Sequence, residues 1–265
     1  EWQARQQRIR EHQVRSDAAI DGHRVRKARL AGRSRRSARQ PAVILKLPIY
    51  LNAERDATRI VILNSIGTMM DSLTRGSARV KLDFSEVKRI YPGGMLLLLA
   101  YLERLVDAFP GRIRAVCPRG SMAAQLLWHF GFGEKLQIPE HGNEPRHASV
   151  TGWKYTTGHL AEGALVHEHI ADFSSQVGSS MPDGLYNTLS ESMTNVRQHA
   201  YPEGCKIPEQ FRRWWMFSSC QSPASGQDGN LFLAFYDFGV GIPDSLRERL
   251  VGLAEQSAET LHRLL

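Results

Sequence analysis

Cysteine is scarce. The 265 residues hold three, Cys117, Cys205 and Cys220, far apart and without a C-x-x-C pair. That argues against a disulfide framework or a zinc site and suits a reducing cytoplasm. Long apolar runs are missing too. None reaches the roughly 18 residues that mark a membrane-spanning helix, so a transmembrane segment is not expected. The chain opens Glu1-Trp2-Gln3, with neither Met nor the apolar stretch of a signal peptide, and reads as a fragment or a processed chain. Outside one segment there is no excess of charge of either sign. Residues 1–40 carry 12 Lys or Arg against 4 Asp or Glu, an excess of eight positive charges. The whole chain is only +7, so the other 225 residues sum to −1.

The basic pI therefore belongs to the arm. With few large apolar residues it cannot bury a core. Such an arm can contact nucleic acid or another anionic surface, or serve as a solvated, partly helical extension. It lacks interleaved aromatics and any base-reading motif. The rest has an ordinary globular balance: 42% of the chain is apolar and 23% charged, so disorder throughout is not expected.

From Pro41 the pattern changes. Ala42 to Leu47 reads as a buried strand, and residues 53–75 as a helix with Ile60, Val61, Ile66 and Met69 as core candidates. Val80 to Phe84 alternates as a second strand. Tyr91-Pro92-Gly93-Gly94 signals a turn before the apolar helix Met95 to Phe109. Arg112 to Cys117 is a third strand, and Ser121 to Phe130 a third helix. Strand and helix alternate three times, which predicts an α/β unit over 41–140.

A polar, Pro- and Gly-rich break covers 139–152. Beyond it, 158–177 and 182–200 read as helices, the second with Leu185, Leu189, Met193 and Val196 on one face. Phe211 to Ser219 and Leu231 to Tyr236 read as strands. Trp214 and Trp215 lie in the first of these and suit a core or an interface. Residues 244–265 read as helix.

Two stretches carry chemistry. In Glu191-Ser192-Met193-Thr194-Asn195-Val196-Arg197-Gln198-His199 the carboxylate and the amide are four apart, on one helix face, with His199 a turn further on. An amide oxygen beside a carboxylate suits a hard cation such as Mg²⁺, which keeps water and phosphate oxygens as further ligands. An exposed polar helix face gives the same spacing. The second stretch, Asp237-Phe238-Gly239-Val240-Gly241-Ile242, follows the apolar run 231–236 directly. A carboxylate at a strand end can accept a hydrogen bond from an exocyclic amine, and glycines let backbone approach a ligand. A tight turn with a capping Asp has the same residues.

In this order the two stretches resemble the N-box and the first glycine box of the GHKL superfamily of ATP-binding domains. That superfamily includes gyrase-type topoisomerases, histidine kinases and anti-sigma-factor serine kinases. The resemblance covers about 150–265. It implies an α/β sandwich with ATP between helices and a mixed sheet. It further implies Asn195 as the Mg²⁺ ligand, Asp237 as the partner of the adenine amino group, and Gly239 and Gly241 opening the pocket. Glu191 matches the general base where one is used, and His199 stands as in anti-sigma-type members. Gln198 replaces the basic residue of many family kinases. The lid and second glycine box should follow Ile242, but the 23 residues left contain a single glycine, Gly252. The domain is expected to be truncated before its ATP lid.

Residues 41–140 resemble a STAS domain, the anti-sigma-antagonist fold, through the strand ending in Asp83 and the turn before the apolar helix. The usual acceptor serine aligns with Pro92 and the preceding Asp with Tyr91, so phosphorylation at that turn is not expected. His167 and His169 flank Glu168 but face different ways on a helix, which argues against a metal site there. The α/β unit also occupies the place of the dimerisation hairpin of a histidine kinase.

The expectation is a cytoplasmic, bacterial-type regulatory protein of two α/β domains. It would bind Mg-ATP for phosphoryl transfer to a protein or for ATP-driven switching. A protein partner is expected through the STAS-like domain, and dimerisation is open to it. The alternative is a non-catalytic STAS-like interaction scaffold with a degenerate nucleotide pocket.

Overall fold

The computed structural model describes residues 42–75, 79–140, 150, 152–159, 183–221 and 230–241. The basic arm, all of the helix expected at 158–177 except its first two residues, the helix expected at 244–265, and Ile242 lie outside the described residues. The described chain mixes helix and strand, as expected of an α/β protein.

The first part contains β1 (Ala42–Lys46), β2 (Tyr50–Leu51), α1 (Asp56–Arg75), β3 (Arg79–Asp83), β4 (Arg89–Ile90), α2 (Pro92–Ala108), β5 (Ile113–Val116) and α3 (Met122–His129). β3 lies between β1 and β5, and both pairings are parallel. Alternation puts Val80, Leu82, Ile113 and Ala115 inside, while Arg79, Arg114 and Val116 face solvent. Among the described residues, nothing covers this second face of the sheet. The first strand departs from the expected buried character: it is an edge strand, and Ile44 is 59% exposed. In α1, Ile66 and Met69 are buried as expected, together with Ile62, Met70 and Leu73, but Val61 is exposed.

α2 begins with Pro92 at its first turn, where a missing N–H costs nothing. It is apolar nearly all round, and correspondingly almost all of it is buried. Leu96 to Leu99, Leu102 and Leu105 belong to one continuous core that also takes in Trp153, Trp215, Phe217 and Phe238. The first α/β unit and the later strands therefore share a core.

The later part contains β6 (Trp153–Gly158), α4 (Asp183–Asn195), a π turn (Val196–Ala200), a short 3₁₀ turn (Glu209–Phe211), β7 (Trp214–Gln221) and β8 (Asn230–Asp237). β7 runs antiparallel between β6 and β8. The sequence pattern missed β6 and placed a helix from Gly158 onward. Trp-Lys-Tyr-Thr-Thr is a strand-forming composition, but it lies beside a polar break. Alternation along β7 divides its large residues. Trp214 and Met216 pack with Leu189, Met193 and Val196 of the α4 segment, and Trp215 and Phe217 join the α2 core. Both tryptophans are fully buried. The sheet is covered on both faces, by α2 on one and by α4 on the other.

Candidate functional site

α4 forms because Leu185, Leu189, Met193, Val196 and Ala200 recur at helical spacing and cover the Trp214 face of the sheet. The hydroxyls of Thr188, Ser192 and Thr194 bond back to carbonyls four residues earlier, each at 2.8 Å. Its last turn is a π turn, a feature frequent at functional sites. Pro202 then forces Tyr201 off the helix, to φ −126° and ψ 75°.

β8 delivers Asp237 to this helix end. Asp237 shares its strand face with Leu233 and Phe235, which pack on the α4 segment, and it stands opposite Trp214 in register. The Gly239 N–H donates to Asp237 Oδ1 at 2.7 Å, closing a tight turn. Burial pushes the Asp237 carboxyl above the usual range, and the Gly239 hydrogen bond only partly opposes it.

Gly239 lies so close to the helix end that a Cβ there would sit 2.5 Å from the Ala200 oxygen and 2.7 Å from its Cα. The Val240 N–H donates to that same Ala200 oxygen at 2.9 Å. Gly241 has φ +80°, a conformation that favours glycine. Sequence reasoning assigned these glycines to a pocket. Among the described residues, what Gly239 makes room for is the end of the helix.

Tyr201 was not singled out in the sequence. Its hydroxyl donates to the Arg213 carbonyl at 2.7 Å and accepts from the Phe238 N–H at 3.1 Å. It thus ties the loop to the start of β7. Burial raises its own pKa, so the phenol stays protonated and able to donate. An aromatic immediately after the N-box-like helix was the available signal.

The other candidates spread along α4. His199, half-buried, precedes the Ala200 that carries the loop contacts. Asn195 stands at the end of α4, and Glu191 lies nine residues before Ala200, roughly 13 Å along the axis. Both are exposed, two residues beyond the inward Met193 and Leu189, and so project away from the sheet. The structure brings together Asp237, Gly239 and the end of the helix; it leaves Glu191 apart from them, and Asn195, though near that end, projects away from the sheet that carries Asp237.

In the first part, the Asp83 carboxylate accepts from the Ser85 N–H at 2.9 Å. The residues at positions 92–94 are Pro, Gly and Gly, with no hydroxyl among them. Burial pushes the Cys117 thiol up to about 12, which keeps it protonated and unreactive.

No family model, curated protein or solved structure matches this chain. Functional assignment rests on its own residues. Among the described residues no group of three or more His, Cys, Asp and Glu could hold a metal ion. A cation held by Asn195 would depend on water and phosphate oxygens for its other ligands. No helix among the described residues is long and apolar enough to cross a membrane.

Proposed function

We propose that this chain binds Mg-ATP at the end of α4 and the Asp237 loop. It would act as a regulatory ATPase or protein kinase of the histidine-kinase-like type, working on a protein partner. The observation that carries this reading is Asp237. A carboxylate at a strand end, held against a helix terminus and raised in pKa by burial, is costly for the fold and suited to accept a hydrogen bond from an adenine amino group. Asn195 and His199 lie within the last two turns of the helix segment that meets this loop. Asn195 would offer an amide oxygen to Mg²⁺, and His199 would approach the nucleotide. The cation would neutralise phosphate charge. Glu191 would act as base toward water or an acceptor hydroxyl.

A second reading draws on the exposure of Glu191. A base two turns from the loop and open to solvent fits nucleotide binding without turnover, in an interaction scaffold. Calorimetric titration with ATP, with and without Mg²⁺, tests the first claim. Saturable binding that weakens when Mg²⁺ is chelated supports it, and no heat of binding at millimolar ATP overturns it. Release of inorganic phosphate in the same samples separates a regulatory ATPase from the scaffold. Turnover abolished by Glu191→Gln favours the enzyme, and binding with no turnover favours the scaffold.

A further inference from the structure

Phe238, between Asp237 and Gly239, turns away from the site. The residue is 3% exposed and belongs to the core shared with α2. Tyr101 of α2 meets it edge-on, with centroids 4.8 Å apart and planes at 85°. The Arg104 guanidinium carbon lies 4.5 Å from its centroid, and Arg104 itself is 1% exposed. A desolvated cation over an aromatic face is a strong form of this contact.

The neighbouring Glu103 fixes where Arg104 falls. Its Oε2 accepts from the Tyr155 hydroxyl on β6 at 3.1 Å and from Trp215 Nε1 on β7 at 2.6 Å. Arg213 Nη1 approaches its Oε1 at 3.5 Å. These bonds set the rotation and height of α2 on the antiparallel sheet. The other end of α2 is held by the first unit. The Tyr91 N–H donates to the Leu51 carbonyl at 2.9 Å, and a Cβ on Gly94 would sit 2.8 Å from Asn52 N. A buried helix clamped at both ends transmits displacement, because close-packed interiors do not absorb it.

We propose that Arg104 and Tyr101 are positioning residues for the nucleotide loop, acting through Phe238. By this route the first α/β unit sets the nucleotide affinity of the second. The ligand in this proposal rests on the Mg-ATP reading; the loop coupling does not. The turn at 91–94 and the loop at 237–241 are then two ends of one lever, and a partner that moves the start of α2 alters Asp237.

The test uses the full chain with Arg104→Met, Arg104→Lys and Phe238→Leu. Amide hydrogen exchange at Gly239 and Val240 is followed without nucleotide, beside Leu82 and Ala115 of the parallel sheet as internal references. Arg104→Met and Phe238→Leu are expected to speed exchange at the two loop amides roughly tenfold and to weaken ATP by a similar factor. The reference amides should hold, and Arg104→Lys should recover part of both effects. Unchanged loop exchange overturns the proposal, as does equal acceleration at Leu82 and Ala115, which marks general loosening. Faster loop exchange with unchanged ATP affinity also overturns it. If the wild type binds no ATP while the loop exchange responds as expected, the coupling stands and the nucleotide reading falls.

Discussion

Two strands of this molecule end in aspartate, β3 in Asp83 and β8 in Asp237, and each accepts an N–H from the residue two further on. The local turn is the same, and the electrostatic outcome is opposite. At Asp83 the Ser85 side chain and amide dominate, and the carboxyl is held below its ordinary range. At Asp237 burial dominates and the carboxyl is raised. A strand-ending aspartate in an open turn stabilises the charge it carries, and the same residue under a helix end is a charge the fold keeps at a cost. Hydrogen bonding to the carboxylate is common to both turns; only at Asp237 does burial outweigh it.

The largest effect should come from filling the space beside the second aspartate. Gly239→Ala puts a methyl group into the Ala200 backbone, so either the loop or the helix end must move. Overpacking of this kind costs about 1–3 kcal/mol. Ser85→Ala beside Asp83 removes one hydroxyl near the surface, where losses are usually within about 0.5 kcal/mol. Denaturant midpoints at constant slope measure both. A Gly239→Ala protein as stable as the wild type would mean the loop is not packed on the helix.

Next is base selection. Asp237→Ala is expected to weaken ATP and to flatten its preference over GTP, because guanine presents a carbonyl where adenine has its amine. An ionised acceptor facing that oxygen stays unpaired, at about 1–3 kcal/mol or more, so ATP should lead GTP by roughly tenfold. Asp83→Ala should leave both affinities alone. Competition against a fluorescent nucleotide reads all three proteins. Equal affinity of the wild type for ATP and GTP would remove Asp237 from the adenine role.

A smaller effect is expected from Asn195→Ala, which removes one of several oxygen ligands from the cation. Affinity for Mg-ATP should fall several-fold, and affinity for ATP in chelator should hardly change. An equal loss in both conditions would indicate that Asn195 contacts the nucleotide rather than the metal.

What the sequence revealed about the two regions differs for a physical reason. The alternating strands and the apolar helix α2 were legible because burial imposes a period on neighbouring residues. The inward face of α4 was legible for the same reason. Phe238 was not, since in D-x-G-x-G it fills the unspecified position and its burial comes from a helix more than a hundred residues earlier. Arg104 gave no signal either: one cation in an apolar helix looks like a solvent-facing residue until Phe211 and Phe238 stand against it. β6 was hidden because its strand-like alternation spans six residues beside a polar segment. Which of two strand-ending aspartates is the costly one depends on what covers it, and that is a non-local fact.

The smallest effect is the most direct test of the contrast. Asparagine at either position keeps an oxygen to accept the turn N–H and removes the charge. Asp83 has a folded pKa below its unfolded value, so its ionisation adds stability above the unfolded pKa, and that gain is lost as pH falls through the folded value. Asp83→Asn should therefore be less stable than wild type at pH 7. For Asp237 the sign reverses. Between the unfolded and the raised folded pKa the native state binds more proton than the unfolded chain, so stability falls as pH rises through that window. Above the folded value the penalty is complete, and below about pH 4 both states are protonated and it vanishes. Asp237→Asn should thus be more stable than wild type at pH 7, with the advantage shrinking as the solution is acidified, while its ATP affinity is lower. Thermal midpoints of the three proteins from pH 7 down to pH 4.5 measure this. The two differences should have opposite signs at neutral pH; that of Asp237→Asn should shrink toward pH 4.5, while that of Asp83→Asn should hold over this range, because its window lies below the unfolded pKa. If Asp237→Asn is destabilised at pH 7, or differs from wild type by a constant amount at every pH, the carboxylate is not held at a cost, and the two strand ends are the same kind of turn.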